Sequence, residues 1–467
     1  MRDLLHAAAD HAAEHLERQA SAPIRPDASA LDLVGALDAP LQDDPLDPRA
    51  VLDDLVRDAG PGLMGFGSPR FYGWVIGGAL PAALAADWMV ATWDQNAGGA
   101  TIAPAAAAFE DVAGRWIVDL LGLPPQTSFG FVTGCQMAHV TALAAARHAV
   151  LARAGWDVER DGLMGAPRIR VLGGAERHVT VDRALRLLGL GTACVEAIEA
   201  DAGGAMRAEA LAAALRGSEG PAIVIAQAGN VDTGAVDPMP EVCAAAHEAG
   251  AWVHVDGAFG LWAAASPARR ALTAGVEDAD SWATDAHKWL NVPYDCGIAL
   301  VADPAAHRAA MTATAAYIED AAGGGSARDP LDHNPEFSRL ARGVPVYAAL
   351  RSLGRSGVAE LVDRLCDCAD RFAERLSAEP GVEVLAHHLN QVLVRFGDDD
   401  ATTDAVLAEV VRDGTVFMSG TVWRGMHAMR ISVCNWQTTL EEVDRSVEAV
   451  LSAAARARPR TLPPVPR

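Results

Sequence analysis

The chain has 467 residues, of which 51% are apolar, and a formal net charge of −23. That length exceeds one small core and predicts two or three packed units. So large an acidic excess excludes a nucleic-acid or anionic-membrane partner held by a basic patch. Seven scattered cysteines, with Cys366 and Cys368 the one close pair, lack metal-ligand spacing, so no metal site is expected. They read as buried thiols in a reducing compartment. No apolar run reaches the length of a membrane span. The N-terminal stretch MRDLLHAAADHAAEHLERQA carries acids and histidines through its apolar positions, which predicts a helix and not a signal peptide. The expected location is the cytoplasm.

Residues 1–79 read as a helical, proline-punctuated segment with little that could form a core alone. Leu4, Leu5 and Ala8 share a helical face with His11 and Ala12, while Pro40, Pro45, Pro48 and Pro61 break the next segments. A segment that cannot bury itself packs on another subunit. From Leu80 the pattern changes to Ala-rich helices, PAALAADWMVATWDQNAG and PAAAAFEDVAGRWIVDLLGLP, the second ending at Gly122 and Pro124.

Strand and helix then alternate. Phe129 to Thr133 is a predicted strand, Gly134 a turn, and Gln136 to Ala152 a helix. Strands are predicted at Ile169 to Leu172, Ala222 to Ala226, Ala251 to Val255, Ser281 to Thr284 and Ile298 to Val301, with helices at VDRALRLLG and PEVCAAAHEAG. The run AIVIA is continuously apolar, as a strand buried on both faces would be. This alternation predicts an α/β unit over residues 80–340, with a mostly parallel central sheet covered on both faces. Residues 341–467 read as a smaller α+β unit, with helices over VPVYAALRSLG and GVAELVDRLCDCADRFAERL and strands at Val392 to Phe396 and Met429 to Val433. Between the two lies AAGGGSARDPLDHNPEF, a linker by composition or, alternatively, a mobile active-site loop.

One residue stands apart from this composition. The chain contains a single lysine, Lys288, within TDAHKWLNVPYDCG, although Lys and Arg together number 38. Arg cannot replace Lys where a deprotonatable nitrogen is needed, because guanidinium stays protonated. An amine that loses its proton can form a Schiff base with an aldehyde. Asp256 ends the strand AWVHV, and the stretch between it and Lys288 predicts a helical crossover that brings both to one sheet edge, where parallel sheets bind ligands. Beside a Schiff-base lysine, a carboxylate suits the pyridine nitrogen of pyridoxal phosphate, because it raises that nitrogen's pKa and keeps it protonated. Gly134-Cys135-Gln136-Met137, between a strand and a long helix, offers free N–H groups and a helix dipole to a phosphate. His178 also lies just after a strand and could stack on a cofactor ring or serve as a plain cap.

The stretches GFVTGCQMAHVTALAAARH, ERHVTVDRALRLLG, AGNVDTGAVDP, WVHVDGAFG and TDAHKWLNVPYDCG occur in the order and spacing of the pyridoxal-phosphate-dependent group II decarboxylases. From about Phe71 to its C-terminus the chain resembles that family, which includes aromatic amino acid, histidine and glutamate decarboxylases on the fold type I, aspartate aminotransferase-like architecture. The resemblance implies decarboxylation of an L-amino acid to its amine and CO2. It also implies that Lys288 is the Schiff-base lysine, Asp256 the partner of the ring nitrogen and His178 the stacking imidazole. Cys135, Gln136, Met137 and His287 would surround the phosphate, and Asn230 and Ala258 would touch the ring or its substituents. Trp74 and Ile76, with Gln95 and Asn96 from the same or the other subunit, would line the substrate pocket, the polar pair hinting at a side chain less apolar than an aromatic ring. The family implies a homodimer with shared active sites.

Two departures stand out. The phosphate turn lacks the family's Ser or Thr. No tyrosine occurs between Tyr317 and Tyr347, where many members carry the loop tyrosine that protonates the substrate carbon. In that loop His333 is the side chain that titrates near neutrality, and it is the candidate acid. The rival outcomes are an aldehyde synthase, a carbon–carbon lyase, an aminotransferase, or a catalytically silent homologue acting as an interaction partner. A nicotinamide-binding dehydrogenase is disfavoured because no G-x-G-x-x-G comes after a strand.

Overall fold

The structure, a computed structural model, describes residues 1–217, 219–313 and 328–457. Its centre is a seven-stranded sheet of β1 (Ser128–Val132), β2 (Arg170–Gly174), β3 (Val195–Ile198), β4 (Ala222–Gln227), β5 (Trp252–Asp256), β6 (Ser281–Asp285) and β7 (Gly297–Val301), in the order β1-β7-β6-β5-β4-β2-β3. Strand β7 runs antiparallel to both its neighbours, and every other pairing is parallel. All residues of β4, β5, β6 and β7 are buried; β4 and β7 are almost wholly apolar, while β5 and β6 also bury polar side chains, among them His254, Asp256, Ser281 and Asp285.

The two faces of the sheet separate by the period of two. Ile223, Ile225 and Trp252 face a layer that contains the helix α6 (Cys135–Arg153), together with Val181 and Leu185 of α8 (Val179–Leu187). Val224, Ala226, Val253 and Val255 face the opposite layer, which includes Ile117 of α5 (Pro104–Leu120) and Val242 of α10 (Met239–Glu248). That second layer continues without a break into a four-stranded antiparallel sheet, whose strands are β8 (Val382–His388), β9 (Gln391–Phe396), β10 (Ser419–Trp423) and β11 (Met426–Ser432). The helical stretch Gly343–Ser377 leads into this smaller sheet and is broken at Gly354, where φ is 64°.

The crossover from β5 to β6 differs from the expected α-helix. It is built of three short 3-10 turns, Gly260–Ala265, Arg270–Thr273 and Val276–Asp278. Pro267 and the glycines at 257, 260 and 275 break any longer helix. Gly260 has a further reason to be glycine, since a Cβ there would lie 2.3 Å from the Ala228 carbonyl oxygen.

The N-terminal segment is helical, with α1 (Arg2–Gln19), α2 (Ala30–Leu37) and α3 (Pro48–Ala59). Ala7 and Ile24 are the only buried apolar side chains in residues 1–67, while Leu5, Leu16, Leu31, Val34 and Leu37 are exposed. No helix among the described residues is long and apolar enough to cross a membrane.

Candidate active site

The parallel pairing of β5 with β6 sets Asp256 opposite Ala283 and brings Asp256 and Asp285 to one edge of the sheet. Lys288 comes three residues later, and its Nζ pairs with Asp285 Oδ2 at 3.0 Å. Burial works against the ammonium, but the adjacent Asp285 outweighs it and holds Lys288 above the usual lysine range. Asp256 is buried, and its Oδ1 accepts the Ala258 N–H at 3.2 Å. Burial opposes its charge, yet His139, His178 and Lys288 hold its carboxyl well below the usual carboxylate range. Ala258 lies between the two aspartates, its carbonyl accepting the Asp285 N–H at 3.0 Å.

The start of α6 closes the adjoining corner. Gly134 precedes the helix with φ 141°, a conformation open to glycine, and Cys135 N–H donates to Asp285 Oδ1 at 2.6 Å. A Cβ on Gly297 would lie 2.2 Å from the Gly134 carbonyl carbon, so β7 and this turn touch backbone to backbone. Both polar atoms of the Gln136 side chain are buried and have no protein partner. Such an orphaned amide at a helix N-terminus fits a phosphate ligand. His287 Nδ1 accepts the Cys296 N–H at 3.2 Å, so Nε2 carries the ring proton and faces Asp285 Oδ1 at 3.6 Å. Burial pushes its pKa down. With Lys288 for the aldehyde and Asp256 for a ring nitrogen, these residues fit pyridoxal phosphate.

His178 caps α8, its Nδ1 accepting the Thr180 N–H at 3.3 Å, which places its proton on Nε2. Burial lowers its pKa against the pull of Asp256. Asn230 makes other contacts than the expected one with the ring. Its Nδ2 donates to the Glu176 carbonyl at 2.9 Å and its Oδ1 accepts from Asp232 and Thr233, so it ties the loop after β4 to the loop that carries His178.

The expected pocket residues divide. Gly77 lies against the Lys288 carbonyl, where a Cβ would come within 2.2 Å, so the segment of Trp74 and Ile76 crosses directly over the lysine turn. Trp74 is 51% exposed and packs against Phe417 and Phe71, with ring centroids 5.1 and 6.0 Å away. Asn96 instead accepts the Arg339 N–H, and Gln95 lines a separate cavity with Trp93 and Phe109. Within this chain neither Gln95 nor Asn96 belongs to the Lys288 site.

His333 is not brought to Lys288 either. Its Nδ1 bonds to the Asp329 carbonyl at 3.0 Å, and its ring packs edge-on against His307, which bonds Ser128 at 2.7 Å. Ser128 begins β1, and Val132, which leads to Gly134, ends it about 13 Å further along the strand. Burial and Arg328 push His333 down to about 4, so at neutral pH it carries no readily released proton. Gly323 to Gly325 and Tyr317 lie outside the described residues.

Two site residues carry no signal in the sequence. Asn291 is fully buried with φ 54°; it donates to the Lys288, Trp289 and Cys434 carbonyls and accepts from Gly78 and Trp436, knotting three segments around the lysine turn. His139, one turn into α6, faces Asp256 Oδ2 at 3.6 Å.

The family described as the pyridoxal-dependent decarboxylase conserved domain matches residues 31–397. An aromatic-L-amino-acid decarboxylase of Bacillus atrophaeus is 26% identical, over 95% of this chain and 93% of its own. An L-2,4-diaminobutyrate decarboxylase of Rhizobium meliloti is 29% identical, over 80% and 75%. Among solved structures, the Oryza sativa TDC with PLP and tryptamine superposes with a TM-score of 0.90 at 23% identity, covering 97% of each chain. Mouse CSAD gives 0.87 at 21%, covering 97% of this chain and 98% of its own. The two structures establish the fold type I architecture.

Proposed function

The chain belongs to the pyridoxal-dependent decarboxylase family and acts on an amino acid, and we propose that its substrate is an L-amino acid with a large aromatic side chain, released as the amine and CO2. One observation carries the substrate class. The half-exposed Trp74, tilted against the stacked pair Phe417 and Phe71, stands on the segment that crosses Lys288. An apolar, aromatic wall selects a flat side chain. The aromatic-L-amino-acid and tryptophan decarboxylases among its relatives support the same class. The polar pair Gln95 and Asn96 lies away from Lys288 within this chain, so any part it takes in the pocket is in the partner subunit's site.

Pyridoxal phosphate supplies, when bound, an aldehyde carbon for an amine to capture and a protonated ring that withdraws electrons from the bond to the carboxylate. Lys288 provides the amine, and Asp285 Oδ2, 3.0 Å away, holds it as the ammonium until that proton is given up. Asp256 holds a proton at the ring nitrogen, since its carboxylate is kept ionised in a buried place. Gly134, Cys135, Gln136, Met137 and His287 surround the phosphate. His178 presents Nε2–H to the site and orients ring and substrate carboxylate. Ala258 separates the two aspartates and keeps the floor between them apolar.

The protein works as a homodimer whose partner completes each site. In support, the exposed Leu16 and Trp88 line an apolar groove of about 670 Å³ that continues to Gly77, Gly78 and Tyr294 beside the lysine turn. All seven cysteines are free, which supports a cytoplasmic location. A screen of L-amino acids for CO2, amine and aldehyde release tests the reading. Turnover of tryptophan, phenylalanine or an analogue supports it. Turnover confined to 2,4-diaminobutyrate or an acidic amino acid would overturn the substrate class, and aldehyde with oxygen consumption would overturn the amine.

A further inference from the structure

Behind Asp256, on the side away from the cofactor site, lies a buried row of polar side chains from three elements. Trp252 and His254 belong to β5, Ser281 opens β6, and His139 comes from α6. All four are at most 1% exposed. Trp252 Nε1 lies 2.9 Å from Ser281 Oγ, Ser281 Oγ 2.9 Å from His254 Nδ1, and His254 Nε2 2.9 Å from His139 Nδ1. His139 Nε2 then faces Asp256 Oδ2 at 3.6 Å and Cys135 Sγ at 3.5 Å.

The protons in this row can be placed one by one. Indole Nε1 can only donate, so Ser281 Oγ accepts from Trp252. The Ser281 hydroxyl proton is buried and must find an acceptor, and His254 Nδ1 is the one beside it. Burial holds His254 far below the usual imidazole range, so it is neutral and its single proton sits on Nε2. That proton goes to His139 Nδ1. The proton of His139 is thereby fixed on Nε2, where it meets the carboxylate. Each bond orients the next in one direction, and the last leaves the His139 Nε2–H beside Cys135 Sγ at 3.5 Å and facing the Asp256 carboxylate at 3.6 Å, an electrostatic contact longer than a hydrogen bond.

We propose that His139, oriented by the row Trp252–Ser281–His254, is a positioning residue that keeps Asp256 ionised and aimed at the ring nitrogen of the cofactor. The inference rests on the reading of Asp256 as that nitrogen's partner. His139 touches neither substrate nor cofactor. It turns an imidazole N–H toward a fully buried carboxylate that burial alone would neutralise.

The test uses two replacements. Gln can reproduce both functions of His139, accepting from His254 and donating to Asp256, whereas Leu can do neither. His139→Leu is expected to weaken equilibrium binding of pyridoxal phosphate about tenfold, the scale of one pK unit of stabilisation lost at the carboxylate. It is also expected to move the 15N resonance of the bound ring nitrogen toward the unprotonated value, while His139→Gln stays close to wild type in both. In cofactor-free protein, 15N-histidine spectra should show His254 and His139 as Nε2–H tautomers, and Ser281→Ala should release that preference in His254. An Nδ1–H tautomer at His254, or a Leu variant with wild-type affinity and ring shift, overturns the row. Asp256→Asn keeps the two readings apart. If it leaves the ring nitrogen shift unchanged, the assignment of Asp256 fails; if it changes the shift and His139→Leu does not, only the role of His139 fails.

Discussion

Asp285→Asn isolates the contact that keeps Lys288 from acting as a nucleophile. Asp285 does two things: its Oδ1 accepts the Cys135 N–H at the start of α6, and its Oδ2 holds the lysine ammonium at 3.0 Å. Asn keeps a carbonyl oxygen for the first task and removes the charge from the second. At 3.0 Å and an effective dielectric near 20, two unit charges attract by about 5 kcal/mol before the cost of burial. One pK unit corresponds to about 1.4 kcal/mol, so even a quarter of that attraction surviving burial raises the free amine about tenfold at neutral pH. Cofactor-free Asp285→Asn protein mixed with pyridoxal phosphate should therefore capture the aldehyde at least about tenfold faster than wild type, monitored by stopped-flow absorbance. The gain should shrink as the pH rises, because alkaline solution frees the wild-type amine as well. Equal or slower capture at neutral pH refutes the claim that Asp285 governs Lys288. Slower capture with a lowered thermal transition would trace the loss to the helix start instead.

Lys288→Ala should abolish turnover with fold retained, and in wild type all borohydride-fixed pyridoxyl label should map to Lys288 or the N-terminal amine; label on any other residue refutes the assignment. Asp256→Asn should bind cofactor yet lose turnover by orders of magnitude, so a near-normal kcat removes Asp256 from the ring nitrogen. Glu110 is 1% exposed and pairs with Arg339 and Arg328, so Glu110→Ala should cost about 3 kcal/mol or more by leaving a buried guanidinium unpaired; an unchanged denaturation midpoint counts against that. Acid should also destabilise the fold: His333 is pushed from 6.5 down to about 4, and a base with a lowered folded-state pKa contributes stability that is present above about 6.5 and lost as the pH falls. Near pH 5 His333 alone accounts for about 2 kcal/mol, and His254 and His307 act in the same direction, so a urea midpoint that does not fall between pH 7.5 and about pH 5 contradicts their burial as neutral groups.

Legibility in the sequence depended on which physical constraints act locally. Strands β4 and β7 were legible because burial on both faces demands nearly continuous apolar runs, and β5 and β6 because β-branched and aromatic residues alternate with their buried polar ones. The strands Val195–Ile198, Val382–His388 and Ser419–Trp423 were not, because each is partly exposed and mixes polar residues into its pattern. Lys288 stood out because a deprotonatable amine has no substitute in a chain that otherwise uses arginine. His333 was chosen by its intrinsic pKa alone, and packing against His307 and Arg328 removed the property that recommended it. His139 and His254 are separated by 115 positions and meet through the packing of α6 on β5. No local pattern marks such a pair. Asn291 is equally silent, since its role depends on a positive φ and on carbonyls from distant segments.

The charges around Lys288 explain why the site is built mostly from neutral dipoles. Asp256 and Asp285 stand against a single ammonium, and burial pushes His178, His254 and His287 toward their neutral forms. A phosphate entering beside α6 adds further negative charge, and one of that helix's free amides is already given to Asp285. The buried, unpartnered amide of Gln136 would meet the anion without a charge of its own, and so without drawing Asp285 away from Lys288. An arginine in its place would be permanently charged and would compete for that carboxylate. His287 has the complementary property: its Nε2–H already faces Asp285, and a phosphate nearby raises the affinity of its ring for a second proton. Charge can then enter the site with the cofactor and leave with it, while Asp256, faced from behind by His139, keeps its own charge throughout.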